Sequence, residues 1–202
     1  MKLYGFGESG NAYKVALMLE LSGTRWELEF VPFFTGGART PEFRALNPMG
    51  EVPVLVDGDL VLTQSGVMLD HLAQVTGQFG GPRADILRWL LWDNHKLSAQ
   101  IGSCRFLMNF LPEEKRPVGV IPFLQGRLRA AYQVLEGELS RRDWLVGDAA
   151  SIADISCCGY LYYPEPYGFD RADWPAIGAW LDRIAALPGW RPPYDLMPPA
   201  FK

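Results

Sequence analysis

Two short stretches carry residue types that could hold a small peptide-like acid. Asn47-Pro48-Met49-Gly50-Glu51-Val52-Pro53-Val54-Leu55 is followed, after a brief return, by Leu62-Thr63-Gln64-Ser65-Gly66. Pro48 and Gly50 build a turn, and Pro53 opens an apolar strand. Proline has no N–H, so a proline at a strand start leaves neighbouring backbone groups out of the ladder. If the Val52-Pro53 bond is cis, the N–H and C=O of Val52 can pair with an extended peptide. Gln64 and Ser65 fall at the start of a helix, where unsatisfied N–H groups and the helix dipole favour a carboxylate. The pattern reads as a backbone clamp beside an anion seat.

Other reactive side chains offer less. His71 and His95 have no third ligand or spaced carboxylate that would hold a metal, and read as structural or surface residues. Cys104, Cys157 and Cys158 are an odd set without metal-ligand spacing, read as reduced, buried thiols. Ser151 and Asp154 have the spacing of a capping box with Asp in place of Glu, a folding element rather than a catalytic pair. Glu113-Glu114-Lys115-Arg116 reads as a solvated loop, and Trp89 and Trp92 as packing residues. No phosphate loop, paired-histidine zinc motif or nucleophile elbow occurs.

The elements that position the clamp follow from hydrophobic period and turn chemistry. Residues 2–7 read as a strand, residues 9–21 as a helix with Ala12, Val15, Ala16 and Leu19 on one side, and residues 26–33 as a second strand. Gly36-Gly37 is a loop, and residues 41–46 suit a short helix. Residues 52–56 and 60–63 form a hairpin across Asp57-Gly58-Asp59. A helix over 65–76 then places Met68, Leu69, Leu72 and Val75 on one stripe. The sum is an α/β layer with a thioredoxin-like order of elements.

Beyond Gly77-Gln78-Phe79-Gly80-Gly81-Pro82, dense in turn formers, the strand signal stops. Leu87, Leu90, Leu91, Asn94, Leu97, Ser98 and Ile101 predict a long helix, and Leu124, Leu128, Ala131 and Leu135 another. A third helix starts at Ser151, and Ile177, Trp180, Leu181 and Ile184 define a fourth. The predicted organisation is an α/β domain over 1–77, a linker over 78–84 and an all-α helical bundle over 85–202. The proline-rich segment from Pro192 is expected to be extended, folding over something or frayed.

A chain of 202 residues that is 49% hydrophobic can bury a substantial core. A net charge of -4 argues against a general nucleic-acid or membrane-surface role. No apolar run approaches the roughly 18 residues that span a bilayer. The start at Met1-Lys2-Leu3-Tyr4 lacks a signal-peptide pattern, so a cytoplasmic location is expected.

The clamp sequence with its Gln64-Ser65 pair resembles the glutathione-binding half of the cytosolic glutathione transferases. Leu3-Tyr4-Gly5 with Ser9-Gly10-Asn11-Ala12-Tyr13-Lys14-Val15 is similar to the first strand and helix of many bacterial, serine- or asparagine-type members. Gly147-Asp148-Ala149-Ala150-Ser151-Ile152-Ala153-Asp154-Ile155 resembles the family's late helix-capping segment. The resemblance implies the glutathione transferase fold, a homodimer, a detoxification role and glutathione as cosubstrate with no metal. It also implies roles for residues of this chain. Ser9 and Asn11 would stabilise the glutathione thiolate, although Ser9 also suits a plain helix cap. A tyrosine-type member would carry Tyr near Gly7, and a cysteine-type member a thiol where Gly10 and Ala12 stand, so a protein-thiol mechanism is disfavoured. Val52 and Pro53 would hold the cysteinyl part, Gln64 and Ser65 the γ-glutamyl carboxylate, and Arg39 or Lys14 the glycyl carboxylate, with Glu51 beside the ligand. Phe6, Phe106, Met108 and Phe110 would line the pocket for a small hydrophobic electrophile, between the domains. Alternatives on this fold are a glutathione-dependent disulfide reductase, peroxidase or isomerase, and a non-catalytic binding or dimerisation module.

Overall fold

Parallel neighbouring strands need a crossover, and the first helix supplies one. β1 (Lys2–Gly5) runs parallel to β2 (Glu27–Phe30), with α1 (Gly10–Leu21) between them in sequence. On the other side of β1 lies antiparallel β3 (Val54–Asp57), which turns at Gly58 into β4 (Leu60–Thr63). The sheet order is β2-β1-β3-β4, the thioredoxin-like α/β layer. The computed structural model describes residues 1–201.

α3 (Ser65–Thr76) packs against α1, and Leu3, Ala12, Val15, Ala16, Leu19 and Leu55 are wholly buried with Met68, Leu69 and Leu72. Elsewhere Val31, Ala38, Phe43 and Val54 form a second cluster with Tyr4 and Val52, closed by α2 (Pro41–Leu46). The strand predicted over residues 2–7 stops at Gly5, because the Ser9 N–H donates to the Phe6 carbonyl at 3.1 Å and a turn begins there. Val75, predicted to face the core, is 54% exposed. Half-buried Thr76 continues the stripe four residues on from Leu72 and donates its hydroxyl to the Leu72 carbonyl.

Two compact units divide the chain: Met1–Gly80 with the segment from Leu187 onward, and Gly81–Ala186. The second is all helical. α4 (Arg83–Trp92) runs through a π-helical turn, Asp93–Ser98, into α5 (Ala99–Arg105) and a second π turn, Phe106–Phe110. α6 (Val120–Leu139), α7 (Ile152–Cys158) and α8 (Pro175–Ala185) complete it. The stripes predicted on α6 and α8 are buried throughout.

Leu90, Leu97, Ser98 and Ile101 of the stripe expected over this long helical run are buried, and the register departs from it around Leu91 and Asp93. Ile86, Leu90, Asp93, Leu97 and Ile101 face inward, whereas Leu91 is 70% exposed and Asn94 is exposed. The inward acid, Asp93, is satisfied by the hydroxyls of Ser98 (2.7 Å) and Ser156 (2.6 Å), which makes its burial tolerable. Hydrophobicity alone passes over such a position.

Residues from Leu187 are expected from sequence in the helical domain, and the structure corrects this. The Tyr13 hydroxyl donates to the Arg191 carbonyl at 2.8 Å, and α9 (Pro193–Leu196) packs on α1. Residues 197–201 then lie as a strap on the loop after β1, where the Gly7 N–H donates to the Pro198 carbonyl at 2.9 Å.

Candidate functional site

The loop after β1 delivers Ser9 to the N-cap of α1. Its side chain accepts from the Ala12 N–H at 3.2 Å, satisfying one of the helix's orphan donors, and Ser9 is 7% exposed. Asn11 lies half-buried in the first turn.

The 47–51 turn is built around the side chain of Asn47, which is buried. Its amide donates to the Glu51 carbonyl (2.8 Å), its oxygen accepts from the Met49 N–H (3.1 Å), and its carbonyl accepts from the Gly50 N–H (3.0 Å). Gly50 adopts φ +66°, and a Cβ there would lie 3.0 Å from the Ala38 carbonyl oxygen. Both facts require glycine. The Val52-Pro53 peptide is cis. Separately, the β3 ladder starts only at Val54, and among the described residues Val52 takes part in none of the backbone bonds outside regular elements.

Gln64 holds φ +69° and ψ 115°, a region that costs a non-glycine residue about 1–3 kcal/mol. Its carbonyl accepts from the N–H groups of Val67 and Met68, and no side chain caps α3. The first amides of the helix, at Ser65 and Gly66, are thus left for an anion. The Gln64 side chain turns back to the clamp: its amide lies 3.3 Å from the Glu51 carboxylate and 3.5 Å from the Met49 sulfur.

The two helix N-termini meet. The Ser65 hydroxyl donates to the Asn11 Oδ1 at 3.3 Å, so the first turns of α1 and α3 converge. Ser9, Asn11, Val52, Pro53, Gln64, Ser65 and Glu51 therefore belong to one region of the first unit. Converging dipole ends favour a bound anion.

The remaining candidates separate. Arg39 is exposed at the end of a short 3-10 turn, Gly37–Arg39. Lys14, for which a solvated charge is the default expectation, is instead buried at 1% exposure. Phe6 is also buried, stacked on Phe33 at 4.8 Å and edge-on to Phe34 at 5.6 Å. Phe106, Met108 and Phe110 belong to the second unit. Phe106 is 39% exposed, the Met108 sulfur lies 3.6 Å from the Cys104 thiol, and Phe110 lies under the Arg105 guanidinium at 5.5 Å.

Asn47 and Glu8 are the residues that motif reading underweights. For Asn47 a signal exists, since Asn before Pro commonly folds its side chain onto its own turn. For Glu8 there is none. Its carboxylate accepts from Ala200 and Phe201 N–H groups, some 190 positions away. His71 pairs with Asp57 at 3.0 Å, and the three cysteines are buried and joined in no disulfide. Among the described residues no group of three His, Cys, Asp or Glu side chains could hold a metal ion, and no helix is long and apolar enough to cross a membrane.

The chain is similar to known proteins over nearly its whole length. Residues 1–74 match the glutathione S-transferase N-terminal domain family, and residues 120–188 the glutathione S-transferase C-terminal domain family. The chain is 30% identical to the disulfide-bond oxidoreductase YfcG of Escherichia coli, over 91% of this chain and 89% of that protein. A glutathione S-transferase structure from Pseudomonas fluorescens is 36% identical with a TM-score of 0.88, covering 95% of this chain and 98% of that one. A glutathione transferase from Burkholderia graminis, solved with two glutathione molecules per subunit, is 28% identical with a TM-score of 0.82, covering 93% and 84%.

Proposed function

Since the chain belongs to the glutathione S-transferase family, a family of enzymes, we propose that its first unit binds glutathione and activates the thiol for attack on a small hydrophobic electrophile. The observation that carries this reading is the meeting of Ser65 with Asn11 at 3.3 Å, which puts an uncapped helix N-terminus beside the Ser9 turn.

In this reading, the N–H and C=O of Val52 pair with the cysteinyl residue of glutathione. The first amides of α3 and the Ser65 hydroxyl take the γ-glutamyl carboxylate. The Ser9 hydroxyl, aided by the start of α1 and by Asn11, faces the sulfur. A thiol ordinarily titrates near 8.5, and lowering that by about two units requires roughly 2.7 kcal/mol in favour of the anion. One charge-assisted hydrogen bond together with a helix N-terminus supplies energy of that order. The nucleophile is then the cosubstrate's thiolate, and no protein thiol takes part. Glu51, hydrogen-bonded to Gln64, holds the clamp's far side, and exposed Arg39 is the candidate partner of the glycyl carboxylate. We assign the active form as a cytoplasmic homodimer.

Calorimetric titration with reduced and oxidised glutathione tests the proposal. Saturable binding of the reduced form at micromolar to low-millimolar affinity is the expected result, and no binding of either form would overturn it. A second reading is glutathione-dependent disulfide reduction, favoured by Asn11 in the site and by the likeness to YfcG, a disulfide-bond oxidoreductase. Preference for oxidised glutathione, and turnover of a model disulfide above that of an aryl halide, would select it.

A further inference from the structure

Glu8 immediately precedes Ser9, yet its carboxylate is turned to residues 197–201. Its two oxygens accept from the Ala200 N–H (2.8 Å) and the Phe201 N–H (2.7 Å), and Glu8 is only 5% exposed. One residue earlier, the Gly7 N–H donates to the Pro198 carbonyl at 2.9 Å. The approach there is so close that a Cβ on Gly7 would lie 2.7 Å from both the Met197 and the Pro198 carbonyl oxygens. The strap's outer end is seated by Phe201, edge-on to Phe34 at 5.2 Å, itself in contact with Phe6. Two contacts, at Gly7 and Glu8, therefore fix residues 197–201 against the loop that leads into α1, and a third reaches it through Phe34 and Phe6.

We propose that this strap is a positioning element of the thiol-activating loop and that Glu8, through its two-oxygen grip, couples the two. The proposal rests on the reading that Ser9 faces the glutathione sulfur. A carboxylate one residue from that position opposes a thiolate, because like charges disfavour one another. In the seated state the two strap amides direct their positive ends at the Glu8 oxygens and offset that charge. With the strap lost, Glu8 loses those two donors, and the loop that leads into Ser9 loses its outer support. Both effects push the bound thiol's pKa upward. The other charged groups on the packed elements are Lys14 and Glu20 in α1, the latter bonded to the Trp26 indole, Glu51 beside Gln64, and Arg191 and Asp195, whose own contact brings the Arg191 guanidinium to the Asp195 carbonyl. None of these changes when the strap is removed beyond Met197.

The test compares the parent, a chain ending at an amidated Met197 (which sets no new carboxylate beside Gly7), Glu8→Ala, the two changes combined, and Gly7→Ala, which displaces the strap by steric clash without altering a charge. Amide exchange without ligand reads the latch itself: Ala200 and Phe201 are protected in the parent and exchange freely in Glu8→Ala and Gly7→Ala. The ultraviolet absorbance of bound glutathione against pH then reads the thiol. Truncation and Gly7→Ala each raise its pKa by about one pH unit, leaving roughly tenfold less thiolate at neutral pH. Truncation adds nothing further in the Glu8→Ala background. A merely structural strap lowers thermal stability and leaves the pH titration unmoved. A parent that binds glutathione and keeps its thiol pKa on truncation overturns the strap's role alone. Equal changes with and without Glu8 overturn the coupling, and a parent that binds no glutathione overturns the thiol reading as well.

Discussion

Ser65 and Asn11, 54 positions apart in sequence, are joined by a 3.3 Å hydrogen bond from the Ser65 hydroxyl to the Asn11 side-chain oxygen. Each stands at a helix start, so the bond ties together two sources of positive potential. It also fixes the Asn11 amide plane, because an oxygen turned to Ser65 leaves the Asn11 NH₂ to point elsewhere as a donor.

Ser65→Ala removes a donor from the anion seat and from this bond. Glutathione affinity is expected to fall about tenfold, equivalent to roughly 1.4 kcal/mol, with little change in the pKa of the thiol once bound. Calorimetry over a series of pH values separates the two quantities. Affinity equal to that of the parent would remove Ser65 from the seat.

Ser9→Ala should act on the other quantity. The bound thiol's pKa rises, so the rate below that pKa falls with the thiolate fraction and recovers as pH passes the new value. A rise of about one pH unit gives a roughly tenfold loss of rate at neutral pH. Loss of the N-cap also costs about 1 kcal/mol, a drop of roughly 2–4 °C in melting temperature. Ser9→Thr, which keeps a hydroxyl, should restore both. A pH–rate profile that does not move in Ser9→Ala would leave Ser9 as a cap and nothing more.

Sequence makes much of this legible, and its failures share a cause. The clamp, the helix starts at Gly10 and Ser65, and the stripes on α6 and α8 rest on local turn chemistry and on period, which a single segment records. Leu91 and Asp93 escape that reading because Asp93 faces inward on the strength of a hydroxyl from Ser156, 63 residues away. The strap escapes it for the same reason: Glu8 finds its partners 192 and 193 residues on. Hydrophobic pattern cannot record a polar contact whose partner lies in a distant segment.

Thiol chemistry of the protein itself should be silent in the native state. Cys104, Cys157 and Cys158 are at most 1% exposed, and burial pushes the Cys104 thiol above its ordinary range, so little thiolate is available. A chromogenic disulfide reagent at neutral pH is expected to titrate almost none of the three without denaturant and all three in it. Rapid native reaction of even one would place an accessible thiol near the surface and reopen a protein-thiol mechanism.

Asp154 organises the second unit more than any other polar side chain of α7. Its Oδ1 accepts from the Leu145 N–H and the Trp180 indole, both at 2.9 Å. Its Oδ2 accepts from the Ser151 N–H at 2.9 Å and hydroxyl at 2.8 Å, closing the capping box. Asp154, Ser151 and Trp180 are wholly buried, so Asp154→Ala strands donors that water cannot reach. The expected cost is about 3–5 kcal/mol, a large share of the total stability of a typical domain. Asp154→Asn keeps two acceptor lone pairs but sets an NH₂ against donors, and should cost less. Burial raises the Asp154 carboxyl above its ordinary range despite these bonds. The folded state therefore holds the proton more tightly than the unfolded chain. This group's contribution is full below the ordinary aspartate pKa and is lost as pH rises through the raised value. Urea unfolding of the parent and both variants from acid to neutral pH checks each part. A midpoint unchanged in Asp154→Ala would show that the network adds nothing, and a pH slope kept by both variants would assign the titration to another group.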